Sequence, residues 1–493
     1  MATRSATPVP TGDLSADELR DRLHRMADWM ASYRETLETR PITPAVAPGE
    51  IRDSLPAEAP EDGEPLDRIL ADLDRVVLPG IVHWGHPAFL GYFGSTSNGP
   101  ALLGEMAAAA LNVSAMTWKT SPAATELETV VLEWIRRMMG LPDELTGVVY
   151  DTASVAVVHA LAAARELAAK DIRRRGLAGR TDLSAMRVYA SDQAHHSLEK
   201  AMVLLGLGEE NAVRVGTDGA FRMDPRLLER RMVDDARSGL LPLAVVATVG
   251  TTSTASIDAV KEIAEISRSH GAWLHVDAAY GGAISLLPER RAETEGMALA
   301  DSLVVNPHKW MFVPLDFSAL YVRRPQLLRA VFAREAEYLR GDAGAGAPGS
   351  GAVDYMDFGI QLGRRFRALK AWMVFRAFGR RGIADRIREH CRLAEHLAGN
   401  IAAEPFFSLA APVTMGVVCF RFAPPGMDAG AADRANEAIV ESVNQTGRAY
   451  LTHTRLRDRL VMRVGIGNIA TEERHVDVLW DLVRSAARNF ASL

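Results

Sequence analysis

The sequence predicts an α/β protein, with a mostly parallel central sheet covered by helices, an N-terminal helical segment and a small C-terminal α/β domain. Three observations carry this. From about residue 99, short apolar runs alternate with helical stretches, the pattern of parallel strands joined by covering helices. Before that point there are amphipathic segments and no strand pattern. After it, a long helical region leads into further β-like runs and a terminal helix. We divide the chain into 1–98, 99–371 and 372–493 on this basis.

Taking the elements in order, Ala16–Arg20 leads into Leu23, Met26, Ala27 and Met30 at helical spacing. A proline-rich connection, Pro41–Pro65, separates this from a second amphipathic stretch, Leu66–Val77. These segments are too small to close a core alone, and a second subunit is the natural partner. Ser121-Pro122 reads as a helix N-cap with proline at the first position, and Gly140 and Pro142 as its stop. Strands are expected at Gly147–Tyr150, Arg187–Ala190, Leu243–Val249, Trp273–Asp277, Ser302–Asn306 and Ser318–Val322. Helix is expected from Leu362 to about Asn400, with strands at Met415–Phe422 and Arg459–Val464. The glycine-rich stretch Gly341–Gly351 reads as a lid or a linker.

Composition bounds the function. The chain has 493 residues, 48% of them hydrophobic and 24% charged, as in an ordinary globular protein. A net charge of −6 gives no basic excess for nucleic acid or an anionic membrane. Two cysteines, Cys391 and Cys419, make neither a disulfide framework nor a metal-ligand cluster. Met1–Pro10 lacks an apolar signal core, and no apolar run is long enough for a bilayer. The expected location is the cytoplasm, with no membrane partner.

The chemistry concentrates at strand ends. Asn306-Pro307-His308-Lys309-Trp310 follows the apolar run Leu303–Val305. Trp273–Asp277 places a carboxylate at the end of another strand, before Ala278-Ala279-Tyr280. A lysine to bind an aldehyde and an acid to hold a pyridinium nitrogen are what pyridoxal phosphate (PLP) chemistry requires. Ser191–Ser197 follows a third strand and offers His195 or His196 to stack on a flat ring. Asp151-Thr152-Ala153-Ser154 precedes a helix and suits either a phosphate or a plain N-cap.

The motifs Asp192-Gln193-Ala194-His195, His275–Tyr280, Asn306–Trp310 and Leu362–Arg367 together resemble the group II PLP-dependent decarboxylases, most closely the aromatic L-amino acid decarboxylases. The resemblance runs from about Pro79 to the C-terminus. It implies PLP-dependent transferase fold type I, like aspartate aminotransferase, and a homodimer with its site at the interface. It further implies Lys309 as the Schiff-base lysine, Asp277 as the pyridinium partner, and His195 as the stacking residue and proton donor. Thr152, Ala153, Ser154, Asn306 and His308 match cofactor phosphate contacts; Thr248 and Ala279 match contacts near Asp277 and the ring. Tyr338 matches the loop tyrosine that returns a proton to substrate carbon; phenylalanine there accompanies oxidative deamination to an aldehyde. Trp84, Tyr92, Phe93, Met116 and Gly363 match the substrate pocket, with glycine at 363 associated with indole substrates. Departures are Asp151 where relatives carry glycine, Gly94 for a pocket proline, Met356 for a charged loop residue, and Ser114 and Met116 for larger or aromatic residues. The implied reaction is decarboxylation of an aromatic L-amino acid, tryptophan first, to the amine. Rivals are oxidative aldehyde formation, a non-aromatic substrate and a non-catalytic PLP-binding homologue. No metal is expected.

Overall fold

Seven strands make the central sheet of the computed structural model, which describes residues 13–169, 171–334 and 352–491. They are β1 (Thr146–Tyr150), β2 (Met186–Ser191), β3 (Ala212–Val215), β4 (Leu241–Thr248), β5 (Trp273–Asp277), β6 (Ser302–Val305) and β7 (Ser318–Val322). Their order is β1-β7-β6-β5-β4-β2-β3. Only β7 runs against the rest, antiparallel to both β1 and β6. β4, β5 and β6 are buried along nearly their whole length, as strands covered by helices on both faces must be.

The expected strands form with end shifts of a residue or two, and β3 is an addition. A second, antiparallel sheet contains β8 (Phe407–Leu409), β9 (Val417–Phe422), β10 (Thr452–Leu456) and β11 (Arg459–Gly465) in the order β10-β11-β9-β8. β3, β8 and β10 were not legible in the sequence. All three are edge strands, short or polar because one side of each lacks a strand neighbour.

Contacts divide the chain into two compact units, residues 1–86 and 87–493. In the first, Ser15 and Glu18 form a reciprocal capping box for the helix Ala16–Thr36. That helix forms as its spacing predicts but buries none of its residues, and Leu19 and Leu23 stay 46% and 44% exposed. Both sheets belong to the second unit.

Two local expectations change. Ser121 occupies the N-cap position of the helix Pro122–Met139, but its side chain makes no capping bond. The helix expected from Leu362 starts only at Ala368 and breaks at Gly379, whose φ is +63°. Residues just before it are held in a loop instead: Arg364 Nη2 donates to Glu128 Oε1 at 2.5 Å and to the Val149 carbonyl at 2.9 Å. A buried ion pair outweighs the helical propensity of one turn.

Candidate active site

Lys309 lies in a single helical turn, Pro307–Trp310, immediately after β6. Its Nζ stands 4.9 Å from the centre of the Phe93 ring. Phe93 stacks on Tyr280 at 4.0 Å, and Tyr280 on Trp310 at 4.7 Å. Trp310 Nε1 in turn donates to His390 Nδ1 at 2.9 Å. Burial lowers the Lys309 pKa, Asp277 opposes that, and Arg463 adds to it. Among the described residues no carboxylate forms an ion pair with Lys309. A lysine desolvated in this way is disposed toward the free amine that attacks a carbonyl.

Asp277 closes β5, and its Oδ1 accepts the Ala279 N–H at 3.1 Å. The Ala279 carbonyl accepts the Asn306 N–H at 3.0 Å, so one backbone stretch fixes the ends of β5 and β6 together. Thr248 pairs with Asp277 across β4 and β5. Its N–H donates to Asp258 at 2.8 Å, yet its buried hydroxyl has no partner among the described residues. A buried orphan hydroxyl costs stability unless something else satisfies it. Its place beside Asp277 fits a bound ring carrying a polar substituent.

His195 follows β2, in the turn before the helix Ser197–Leu204. Its Nδ1 accepts the Ser197 N–H at 3.1 Å, which puts the ring proton on Nε2. The residue is solvent-accessible. Loss of solvent around its ring lowers its pKa, with Asp277 opposing and Lys309 contributing. His195 therefore lies within electrostatic reach of both Asp277 and Lys309.

The expected phosphate contacts come from two elements. Thr152 caps the helix Ala153–Ala168, its hydroxyl accepting the Val155 N–H at 3.4 Å. Ala153 and Ser154 begin the helix, where free N–H groups favour an anion. Asp151 takes the Thr152 N–H at 2.7 Å with one oxygen and the Gln361 amide at 3.3 Å with the other. Both carboxylate oxygens are thus engaged within the chain. His308 Nδ1 accepts the Phe317 N–H at 3.0 Å, and burial pushes its pKa down to about 3, so it is a neutral Nε2–H donor. Asn306 Oδ1 accepts from Ser318 Oγ at 2.7 Å.

The expected substrate residues differ in their local settings. Phe93 reaches Lys309, and Tyr92 precedes it in a left-handed turn with φ +52°. Met116 is half-buried, and its carbonyl accepts the Met356 N–H at 3.0 Å. Gly363 is exposed, and an added Cβ there would meet nothing within 4 Å. Trp84 belongs to the 1–86 unit and is 39% exposed. Tyr338 and the stretch Gly341–Gly351 lie outside the described residues.

Two groups were missed by the sequence reading. Tyr280 forms the layer under Phe93, and Arg463 of β11 lies over the same ring. The aromatic at 280 sits next to a motif and was open to discovery. Nothing local to Arg463 marks it.

The donor set fits PLP: an amine at Lys309, a carboxylate at Asp277, an unpaired hydroxyl at Thr248 and a helix N-terminus at Ala153. Comparison with known proteins agrees. Residues 48–423 match the family model described as the pyridoxal-dependent decarboxylase conserved domain. The chain is 38% identical to tryptophan decarboxylase 2 of Oryza sativa subsp. japonica, over 96% of this chain and 95% of that protein. It is 36% identical to a phenylacetaldehyde synthase of Arabidopsis thaliana, over 96% of each. A crystal structure of Oryza sativa TDC with PLP and tryptamine superposes with TM-score 0.92 at 35% identity, covering 98% of this chain and 100% of that one.

Proposed function

The chain belongs to the pyridoxal-dependent decarboxylase family, and we propose that it decarboxylates an aromatic L-amino acid, tryptophan first, to the arylalkylamine and CO2. The observation that carries the substrate class is the aromatic wall at the reactive amine, Phe93 stacked on Tyr280 beside Lys309. A flat apolar side chain gains from such a wall both by burial and by ring stacking.

PLP, when bound, supplies an electron sink for the pair left on Cα as the carboxylate departs. Lys309 would hold the cofactor through its amine, which burial disposes toward the uncharged form. Asp277 keeps a proton on the pyridine nitrogen, its own orientation fixed by the Ala279 N–H. Thr248 Oγ1 has its hydrogen-bonding capacity free for a group near Asp277. Ala153, Ser154, Asn306 and His308 hold the phosphate, His308 as a neutral donor. His195, with its proton on Nε2, would lie against the cofactor ring, and Tyr338 would supply the proton to Cα. Tyrosine at 338 favours the amine over the aldehyde that the name of the Arabidopsis relative implies.

We place Met116 and Gly363 in the substrate pocket of a second copy, with the site at a homodimer interface. The open space at Gly363 and the unburied apolar face of Ala16–Thr36 support this. A cytoplasmic enzyme is the reading that two free, buried thiols support. Among the described residues no helix is long and apolar enough to cross a membrane.

The test is to incubate the PLP-loaded protein with single L-amino acids and quantify amine, CO2, ammonia and peroxide together. Tryptamine and CO2 in equal amounts without peroxide are expected. Aldehyde with ammonia and peroxide would reassign the reaction, and amine from a non-aromatic acid alone would sink the pocket assignment. Lys309→Ala is expected to remove turnover, by about 10^4-fold or more as when a covalent catalyst is deleted.

A further inference from the structure

Arg463 is 5% exposed, and among the described residues it has no carboxylate partner. Its guanidinium instead donates to three backbone carbonyls: Tyr92 at 2.8 Å, Thr252 at 3.0 Å and Ser253 at 3.1 Å. Its Cζ stands 4.7 Å from the centre of the Phe93 ring, the same ring that Lys309 Nζ approaches at 4.9 Å. The two cations thus approach one aromatic ring and are less than ~10 Å apart. Buried charges are ordinarily paired, so a cation compensated only by dipoles next to a reactive amine calls for a role.

Geometry supplies two parts to that role. The Tyr92 carbonyl is turned toward β11 by a left-handed backbone, φ +52°. It comes so close that a Cβ on Gly465 would lie 2.2 Å from it, so only glycine fits there. Arg463 Nη1 clamps that carbonyl and fixes the turn from which Phe93 projects. Nε and Nη2 clamp the 252–253 loop, whose Ser253 carbonyl also accepts from Cys419.

We propose that Arg463 is a positioning residue of this site, which staples the Tyr92–Phe93 turn to the C-terminal sheet and presents its charge beside Lys309 at the shared Phe93 ring. This rests on the reading of Lys309 as the reactive amine. Besides Arg463 on β11, the groups facing Lys309 among the described residues are Asp277 on β5, His195 after β2 and the adjacent His308. Asp277 favours the charged lysine, whereas Arg463 opposes it.

The full-length chain, freed of cofactor, is treated with acetic anhydride across a pH series. Acetylation of Lys309 is followed by peptide mass spectrometry against exposed Lys119 as internal reference. Arg463→Met is expected to raise the Lys309 midpoint by about one pH unit, the size of a like-charge interaction at this range. Arg463→Lys keeps the charge and loses the planar fork, so its midpoint is expected to stay near wild type. In the PLP-loaded enzyme Arg463→Lys is expected to raise KM for tryptophan about tenfold with a smaller loss in kcat. If Arg463→Met does not fold, Arg463→Gln takes its place as the neutral variant. An unshifted Lys309 midpoint in a folded neutral variant overturns the electrostatic part, and an unchanged KM in Arg463→Lys overturns the staple. The acetylation readout needs no bound cofactor. A wrong Schiff-base assignment would therefore appear as PLP bound elsewhere, with the midpoint shift intact.

Discussion

Arg364 and Arg463 are each 5% exposed, but their surroundings differ in kind. Arg364 meets the Glu128 carboxylate at 2.5 Å and the Val149 carbonyl at 2.9 Å, while the Val149 N–H closes on the same Glu128 oxygen at 3.1 Å. Its cation stacks on Tyr355 at 4.8 Å, and nearby His159 and Tyr150 pack at 4.3 Å. This joint locks the 359–366 loop to β1, with its charges matched inside the chain. Around Lys309 the matching stops short. Among the described residues Arg463 has only carbonyls, Lys309 has no ion pair, and Thr248 Oγ1 and His275 Nε2 have no partner. The first region spends its polar groups on the fold. The second keeps some in reserve, at a cost in stability, as sites that bind and react do.

The largest expected effect breaks the first region. Arg364→Met strands the Glu128 carboxylate, whose pKa burial already raises, in a buried setting. A loss of about 3–5 kcal/mol is expected from urea unfolding of the apo-protein. A loss below about 1 kcal/mol would mean that the pair is not what holds the loop.

A middle-sized effect comes from pH. His159 bridges the Val155 carbonyl at 2.7 Å and the Ile360 N–H at 3.1 Å, so it must be neutral, and burial lowers its pKa to about 4. Unfolded, it titrates near 6.5. Below that value the unfolded chain binds the extra proton, so stability is full above about pH 6.5 and falls as pH drops toward 4. Between pH 7 and 5 this one group removes about 2 kcal/mol. Urea midpoints for His159→Phe are expected to fall less steeply over that window, and an identical slope would exclude His159 as the source.

The smallest effect sharpens the second region. Thr248→Val removes a hydroxyl that has no partner among the described residues. Apo-protein stability should hold within about 0.5 kcal/mol or rise slightly. PLP affinity, by equilibrium titration, should weaken about fivefold for one lost hydrogen bond of about 1 kcal/mol. Apo-protein destabilised by more than about 1 kcal/mol would show that the hydroxyl serves the fold after all.

Much of this molecule was legible before its structure. Apolar runs marked β4, β5, β6 and β7, because strands buried on both faces must be apolar throughout. The same runs placed Asp277 and Lys309 at strand ends, and parallel register carried those ends to one edge of the sheet. The edge strands β3, β8 and β10 escaped notice because their exposed sides remove the apolar signal.

The sequence by itself determined the strands with an apolar signal, their chemistry-bearing ends and the family pattern, since each depends on residues that are neighbours along the chain. Tertiary structure alone decided that Asp151 is tied to Gln361, that the Leu362–Arg367 stretch is a loop pinned by Glu128, and that Arg463 of the second sheet meets the ring beside Lys309. Those are meetings between distant segments. No local propensity or period records them, because the free energy that selects them exists only once the two sheets and their loops have packed.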